Sequence, residues 1–123
     1  MICDVFSAKR ITISTPSGRT VNFNAGTPIL YYRANTSYND MDDGQWEQRI
    51  YNIADNFGLI GLRRMTDGQP HPYEFDPEIF YEAITDPRAS TNNITRPYRP
   101  DSYILISAGA DGLYGTNDDI YNF

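Results

Sequence analysis

The sequence has little of several residue types, and each shortage excludes a class of protein. It has one cysteine, Cys3, among 123 residues, so it can form neither an internal disulfide nor a cysteine-rich zinc site. Lysine also occurs once, and ten basic residues stand against sixteen acidic ones. The resulting net charge of −6 is a poor electrostatic match for nucleic acid or anionic lipid. No apolar run reaches the length of about 18 residues that a membrane-spanning helix needs.

The remaining composition is typical of one small folded domain. Hydrophobic residues make up 40% of the chain and aromatic residues 14%, with ten tyrosines among them. This is enough apolar surface for a core. Because a chain of this length rarely divides into two cores, we expect a single domain over residues 1–123. We expect most tyrosines to be half-buried, with their hydroxyls at the surface.

Three segments of the sequence predict β-strands. Within residues 9–23, apolar residues alternate with polar ones on both sides of a Pro16-Ser17-Gly18 turn, which predicts a hairpin. Residues 28–34 and residues 102–107 are rich in β-branched and aromatic side chains and predict further strands.

Two segments predict helices. Apolar residues recur at helical spacing over residues 46–57, which predicts a helix ending at Gly58. Residues 76–78 offer an N-cap, a proline and an acid, and the helix they begin is stopped by Pro87. Because the strands mostly lack crossover helices between them, we predict an α+β fold. It would have a small antiparallel sheet, one or two short helices and long loops.

The densest group of oxygen-bearing side chains lies near the end of the chain, in residues 107–120. Asp111, Asp118 and Asp119 fall within nine residues, and a glycine at every third position allows tight turns that aim carbonyls inward. Calcium takes about 6–8 oxygen ligands, and this loop could supply most of them. The spacing excludes an EF-hand, and the lack of nearby nitrogen or sulfur disfavours zinc. An Asp-Gly turn with a solvated acidic tip stays open as the alternative.

Two other features are weighed as sites. His71 lies between prolines and could act as a general base, but no serine or cysteine partner is suggested by the spacing, so we expect a surface histidine. Asp40, Asp42 and Asp43 form a second acidic cluster. We expect it to be a solvated loop face, since like charges in loops are usually hydrated.

The ending SYILISAGADGLYGTNDDIYNF resembles the C-terminal segment of the type II secretion major pseudopilins, often called G-type pseudopilins. In that family an apolar strand leads into a Ser-x-Gly-x-Asp-Gly turn, and the segment ends with an Asp-Asp-Ile motif. Residues 26–34 also resemble a segment of divergent pseudopilin-like proteins. The resemblance implies a pseudopilin-like globular domain whose C-terminal loop holds Ca²⁺. Its ligands would be the carboxylates of Asp111, Asp118 and Asp119 and the carbonyl of Ala108.

The resemblance also implies a function. The chain would be a structural subunit of a pseudopilus or type IV pilus-like filament in protein secretion, not an enzyme. Its partners would be copies of itself and other pseudopilins, in the cell envelope of a bacterium on the periplasmic side of the inner membrane. Family members carry a processed N-terminus and a long hydrophobic helix that the printed sequence lacks. Either the helix has been removed to leave the globular domain, or this chain is a relative that lost it. The start at Met1 favours the first, so we expect the native protein to be longer and to meet the membrane only through that helix.

Two alternatives to a filament subunit remain at this stage. The first is a calcium-dependent adhesion or carbohydrate-binding module, favoured if several tyrosines line one exposed groove. The second is a small acid hydrolase in which Asp111 acts with Asp118 or Asp119 as acid and base. The same aspartates could not easily hold calcium and remain free for proton transfer, so a bound ion would exclude the hydrolase.

Overall fold

The first two strands form a separate antiparallel ribbon. The computed structural model describes residue 3 and residues 9–14, 18, 20–25, 27–41, 44–64, 67–90 and 94–123. Strand β1 (Lys9–Ser14) pairs with strand β2 (Thr20–Ala25), which confirms the predicted hairpin. Pro16 and Ser17 of the predicted turn lie outside the described residues. Gly18 has a φ of 81°, a left-handed conformation that favours glycine in such turns.

The main sheet has three antiparallel strands in the order β3-β4-β5. They are β3 (Leu30–Arg33), β4 (Tyr103–Ser107) and β5 (Ile120–Tyr121), with Leu30 opposite Ile106 in the register. Because successive side chains of a strand point to opposite faces, one face of this sheet is buried and the other is exposed. The fully buried face consists of Leu30, Tyr32, Ile104 and Ile106.

Short helices share one hydrophobic core with the buried face of the sheet. They are α1 (Phe57–Ile60), α2 (Pro72–Phe75) and α3 (Glu78–Ile84). The third confirms the helix predicted from residues 76–78, and Asp76 accepts a hydrogen bond from the Glu78 amide at 3.2 Å. Together the sheet and these helices confirm the predicted α+β class. No helix within the described part of the chain has the length and apolarity needed to cross a membrane.

The predicted continuous helix over residues 46–57 is wrong. Two 3₁₀ helices occupy this region, Trp46–Gln48 and Ile53–Asn56, and Gly58 lies inside α1. The backbone between them is extended, because Ile50 pairs with loop residues: its amide donates to the Asp40 carbonyl and its carbonyl accepts from the Asn35 amide. Asn52 then starts a new helix by accepting from the Ala54 amide at 3.0 Å.

The tyrosines are more deeply buried than predicted. Half of them belong to the core, and the hydroxyls of four of these five meet backbone groups, while that of Tyr73 lies near the Asp119 carboxylate. For example, Tyr32 donates to the Ile53 carbonyl at 3.4 Å, and the Tyr81 hydroxyl accepts from the Ile53 amide at 3.1 Å. A buried phenol needs such a partner, since an unpaired buried hydroxyl is costly. The buried tyrosines are Tyr32, Tyr51, Tyr73, Tyr81 and Tyr114.

Candidate functional site

Residues 108–119, called the C-terminal loop below, connect β4 to β5 and close tightly at their base. Ala108 is fully buried there, and Gly109 follows with a φ of 69°. A Cβ atom on Gly109 would lie 2.1 Å from the Asp118 carbonyl oxygen, far closer than atoms can approach. The two ends of the loop are therefore in contact, and the contact requires glycine at position 109.

Asp111 organises the first half of the C-terminal loop. One carboxylate oxygen accepts from the Leu113 amide at 2.9 Å, and the other accepts from the Thr116 hydroxyl at 2.6 Å. The first bond is the local turn that an aspartate makes with a backbone amide two residues on. The second bond reaches across the loop and brings Thr116 to the Asp111 carboxylate.

Asp119 organises the second half. Its Oδ2 accepts from the Gly115 amide at 2.7 Å and lies 3.5 Å from the hydroxyls of both Tyr73 and Tyr121. Burial raises the pKa of Asp119 to about 6, the amides of Gly115 and Thr116 oppose that rise, and the nearby charge of Asp111 adds to it. The carboxyl group is thus partly withdrawn from water and close to a second acid.

The three predicted carboxylate ligands lie in different environments. Asp111 and Asp119 both contact Thr116, Asp111 through the hydroxyl and Asp119 through the amide at 3.5 Å. Asp118 is exposed, and its carbonyl, not its carboxylate, lies against Gly109 at the base of the loop. Within the residues that the structure describes, no three acidic, histidine or cysteine side chains converge on one point. Any cation held here would therefore need carbonyl, hydroxyl or water oxygens beside the two carboxylates.

The donor set still suits a hard cation. The carboxylates of Asp111 and Asp119 and the carbonyl of Leu113, which all contact Thr116, offer oxygen, as calcium prefers, and no thiolate or imidazole is among them. A groove of about 450 Å³ runs between the loop and α3, where Asn117, Asp119 and Glu82 line it. This groove gives an ion a route to the Asp119 carboxyl.

The C-terminal loop is docked on the core through Tyr114, which is fully buried. The Tyr114 hydroxyl donates to the Pro28 carbonyl, and its ring stacks near the ring of Tyr73. Gly115 follows with a φ of 98°, and a Cβ there would lie 2.8 Å from the Cβ of Pro72. The loop thus packs directly on the start of α2.

His71 is not the surface histidine that the sequence predicted, because only 1% of it is exposed. Its Nδ1 accepts from the Tyr114 amide at 3.2 Å, and the two rings pack at 4.5 Å. The sequence contained one signal for this: Glu74 follows three residues later, the spacing of a capping box. That signal points to an ordered helix start at His71. Its partner Tyr114 is 43 residues away and gave no local sign.

The second acidic cluster is only partly described. Asp42 and Asp43 lie outside the described residues. Asp40 is half-buried, and its Oδ1 accepts from the amides of Met41 at 2.7 Å and Thr95 at 3.2 Å. The expectation of a solvated loop face is therefore wrong for Asp40, which connects two loops instead.

Comparison with known proteins does not assign this chain to a family. The chain matches none of the protein-family models, none of the curated proteins and none of the solved structures with which it was compared.

Proposed function

We propose that this chain is the globular domain of a structural subunit in a pseudopilus or type IV pilus-like filament, and that calcium stabilises its C-terminal loop. The observation that carries the proposal is the closed loop itself. Its base is fixed by the contact of Gly109 with Asp118, and its interior brings Asp111 and Asp119 to Thr116. The resemblance of residues 102–123 to the C-terminal segment of major pseudopilins supports the same conclusion.

Calcium would relieve the electrostatic conflict in this loop. Two carboxylates that face one threonine repel each other, and the raised pKa of Asp119 reflects burial together with the charge of Asp111. A divalent cation would offset both charges. An ion that binds only the folded state adds about 4 kcal/mol of stability at a thousandfold its dissociation constant.

The proposed ligand set keeps the carboxylates of Asp111, Asp118 and Asp119 and the carbonyl of Ala108. The structure supports Asp111 and Asp119 most directly, since both reach Thr116. Asp118 is exposed on the rim of the loop, where its carboxylate could close the coordination shell from the solvent side. Ala108 lies at the closed base, so its carbonyl would be a ligand from beneath.

The filament role depends on surfaces that meet other subunits, either copies of this chain or other pseudopilins in the bacterial cell envelope. The outer face of the main sheet offers such a surface, because Tyr31 and Tyr103 are 52% and 43% exposed and their rings lie 5.9 Å apart. Exposed aromatic side chains are enriched where proteins meet.

A carbohydrate-binding module has less support. A groove of about 490 Å³ beside β3 is lined by one tyrosine, Tyr31, along with Arg33 and Asp55. The expectation for sugar binding was several tyrosines along one groove. The hydrolase alternative is weaker still, because Asp111 and Asp119 already accept hydrogen bonds from the loop that they hold together.

Immunogold labelling tests the filament role. Antibodies against this domain would be applied to cells that produce the natural gene product. We expect the label to follow filaments in the cell envelope, and a strain with the gene deleted provides the control. Label spread evenly through the cytoplasm, with no filament marked, would contradict the proposal.

A further inference from the structure

Outside the loop carboxylates, one buried titratable group, His71, connects separate segments of the chain through its ring. His71 accepts from the Tyr114 amide through Nδ1 at 3.2 Å, and its ring also hydrogen-bonds the backbone of Arg63. An imidazole that accepts at Nδ1 must carry its proton on Nε2 and must be neutral. The fold therefore holds His71 in one tautomer and one charge state.

These contacts join three separate segments. His71 is the residue before α2, and its own amide donates to Glu74 Oε2 at 2.9 Å. Arg63 follows α1 in the left-handed region, with a φ of 62° that a non-glycine residue holds only when its surroundings fix it. Tyr114 belongs to the C-terminal loop. A single imidazole thus links α1, α2 and that loop.

We propose that His71 is a pH-sensitive latch: in its neutral form it holds the C-terminal loop against α2, and protonation of Nδ1 releases the loop. The reason is geometric. A proton on Nδ1 would point at the Tyr114 N–H, so an acceptor becomes a second donor and the hydrogen bond is lost. The ring has 1% exposure, so the protonated form has no water to replace that bond.

The surroundings of His71 set the pH at which the latch opens. Burial lowers the pKa of His71 from its usual 6.5, and this effect outweighs the opposing influences of the Glu74 carboxylate, the Arg63 carbonyl and the Asp111 carboxylate. The Arg63 guanidinium lies 3.6 Å from Glu74 Oε1 and partly offsets that acid. Because the folded pKa is lowered, the contribution is fully present above about pH 6.5. It is lost as the pH falls through the folded value.

Nuclear magnetic resonance can test the latch directly, because His71 is the sole histidine. The measurement uses the isotope-labelled chain in chelator, so it does not depend on calcium or on a filament. We expect the imidazole to titrate below pH 6.5 and its neutral form to be the Nε2–H tautomer. Between about pH 6.5 and that midpoint the exchange protection of the Tyr114 amide should fall by up to about tenfold per pH unit, and it should level off below the midpoint, after correction for intrinsic exchange.

The Thr85 amide, which donates to Tyr81 at the end of α3, is the internal reference and should keep its protection. A matched variant, His71→Gln, retains an acceptor and a donor but cannot titrate. Because Asp119 titrates in both proteins, subtracting the Tyr114 protection of this variant from that of wild type removes the effect of the Asp119 titration. An Nδ1–H tautomer at neutral pH, or a wild-type Tyr114 amide whose protection does not follow the His71 titration, would overturn the latch. The wild-type data decide this even if the variant does not fold.

Discussion

The hydroxyl of Tyr114 donates a hydrogen bond to the carbonyl of Pro28, across 86 residues of sequence. Through this contact the C-terminal loop is attached to the segment that leads into β3. The Tyr114 amide also donates a hydrogen bond to His71, so one residue connects the loop both to the segment before the sheet and to the start of α2. The candidate calcium site is therefore part of the folded core, and changes in the loop should alter global stability.

Removing the Tyr114 hydroxyl tests this attachment. Tyr114→Phe leaves the buried Pro28 carbonyl without its donor, and an unsatisfied buried group costs about 1–3 kcal/mol. We expect the free energy of unfolding in urea to fall by about that amount with an unchanged slope. Tyr38→Phe is the control, since Tyr38 is 38% exposed and should change little. Equal effects of the two substitutions would contradict the attachment.

Alanine at position 109 should disrupt the base of the loop. The Cβ of Gly109→Ala would overlap the Asp118 carbonyl oxygen in addition to adopting a left-handed φ of 69°. Gly68 has nearly the same φ, 70°, but open space around it, so Gly68→Ala isolates the backbone penalty of about 1–2 kcal/mol. We expect Gly109→Ala to lower unfolding stability well beyond Gly68→Ala. Similar losses would mean that the loop does not close as described.

The buried aromatic cluster should dominate stability. The ring of Phe80 packs against the rings of Tyr32, Tyr73 and Tyr81 with no exposure to solvent. Phe80→Ala should therefore cost about 3–5 kcal/mol in chemical denaturation. Phe75→Ala is the matched control, because Phe75 is 68% exposed and its loss should cost under about 1 kcal/mol. A small effect at position 80 would place the core elsewhere.

Asp119 should make stability depend on pH in metal-free protein. Burial raises its folded pKa to about 6 from 3.8, so the folded state favours the protonated acid. Its stabilising contribution is present at low pH and is lost as the pH rises through about 6. Asp119→Asn cannot titrate, so the difference in unfolding free energy between wild type and variant should change between pH 4 and pH 7. A flat difference would contradict the burial of this carboxyl.

Sequence reasoning succeeded where the determinants were local. The helix α3 is specified by Asp76 and Pro77 at its start and Pro87 beyond its end, and Asp111 forms a turn with an amide two residues away. The acidic loop could therefore be placed from the sequence. Its docking could not, because Tyr114 meets Pro28, a residue far away along the chain.

The errors arose where a distant partner, or a local cap that the apolar spacing does not reveal, overrode the predicted pattern. The apolar spacing over residues 46–57 predicted one helix. It does not take into account that Asn52 caps a new helix or that the backbone of Ile50 pairs with two loops. His71 seemed exposed because its flanking prolines suggest a surface loop. The imidazole is buried by Tyr114, which no local pattern links to it.

Calcium-dependent thermal unfolding tests the proposed site most directly. Wild type, Asp111→Asn and the exposed control Asp101→Asn would each be unfolded in chelator, in magnesium and in calcium. We predict that calcium alone raises the wild-type midpoint, by roughly 10 °C near saturation. The rise should persist in Asp101→Asn and vanish in Asp111→Asn. No calcium-specific rise in protein first shown to be metal-free would contradict a calcium site in the C-terminal loop.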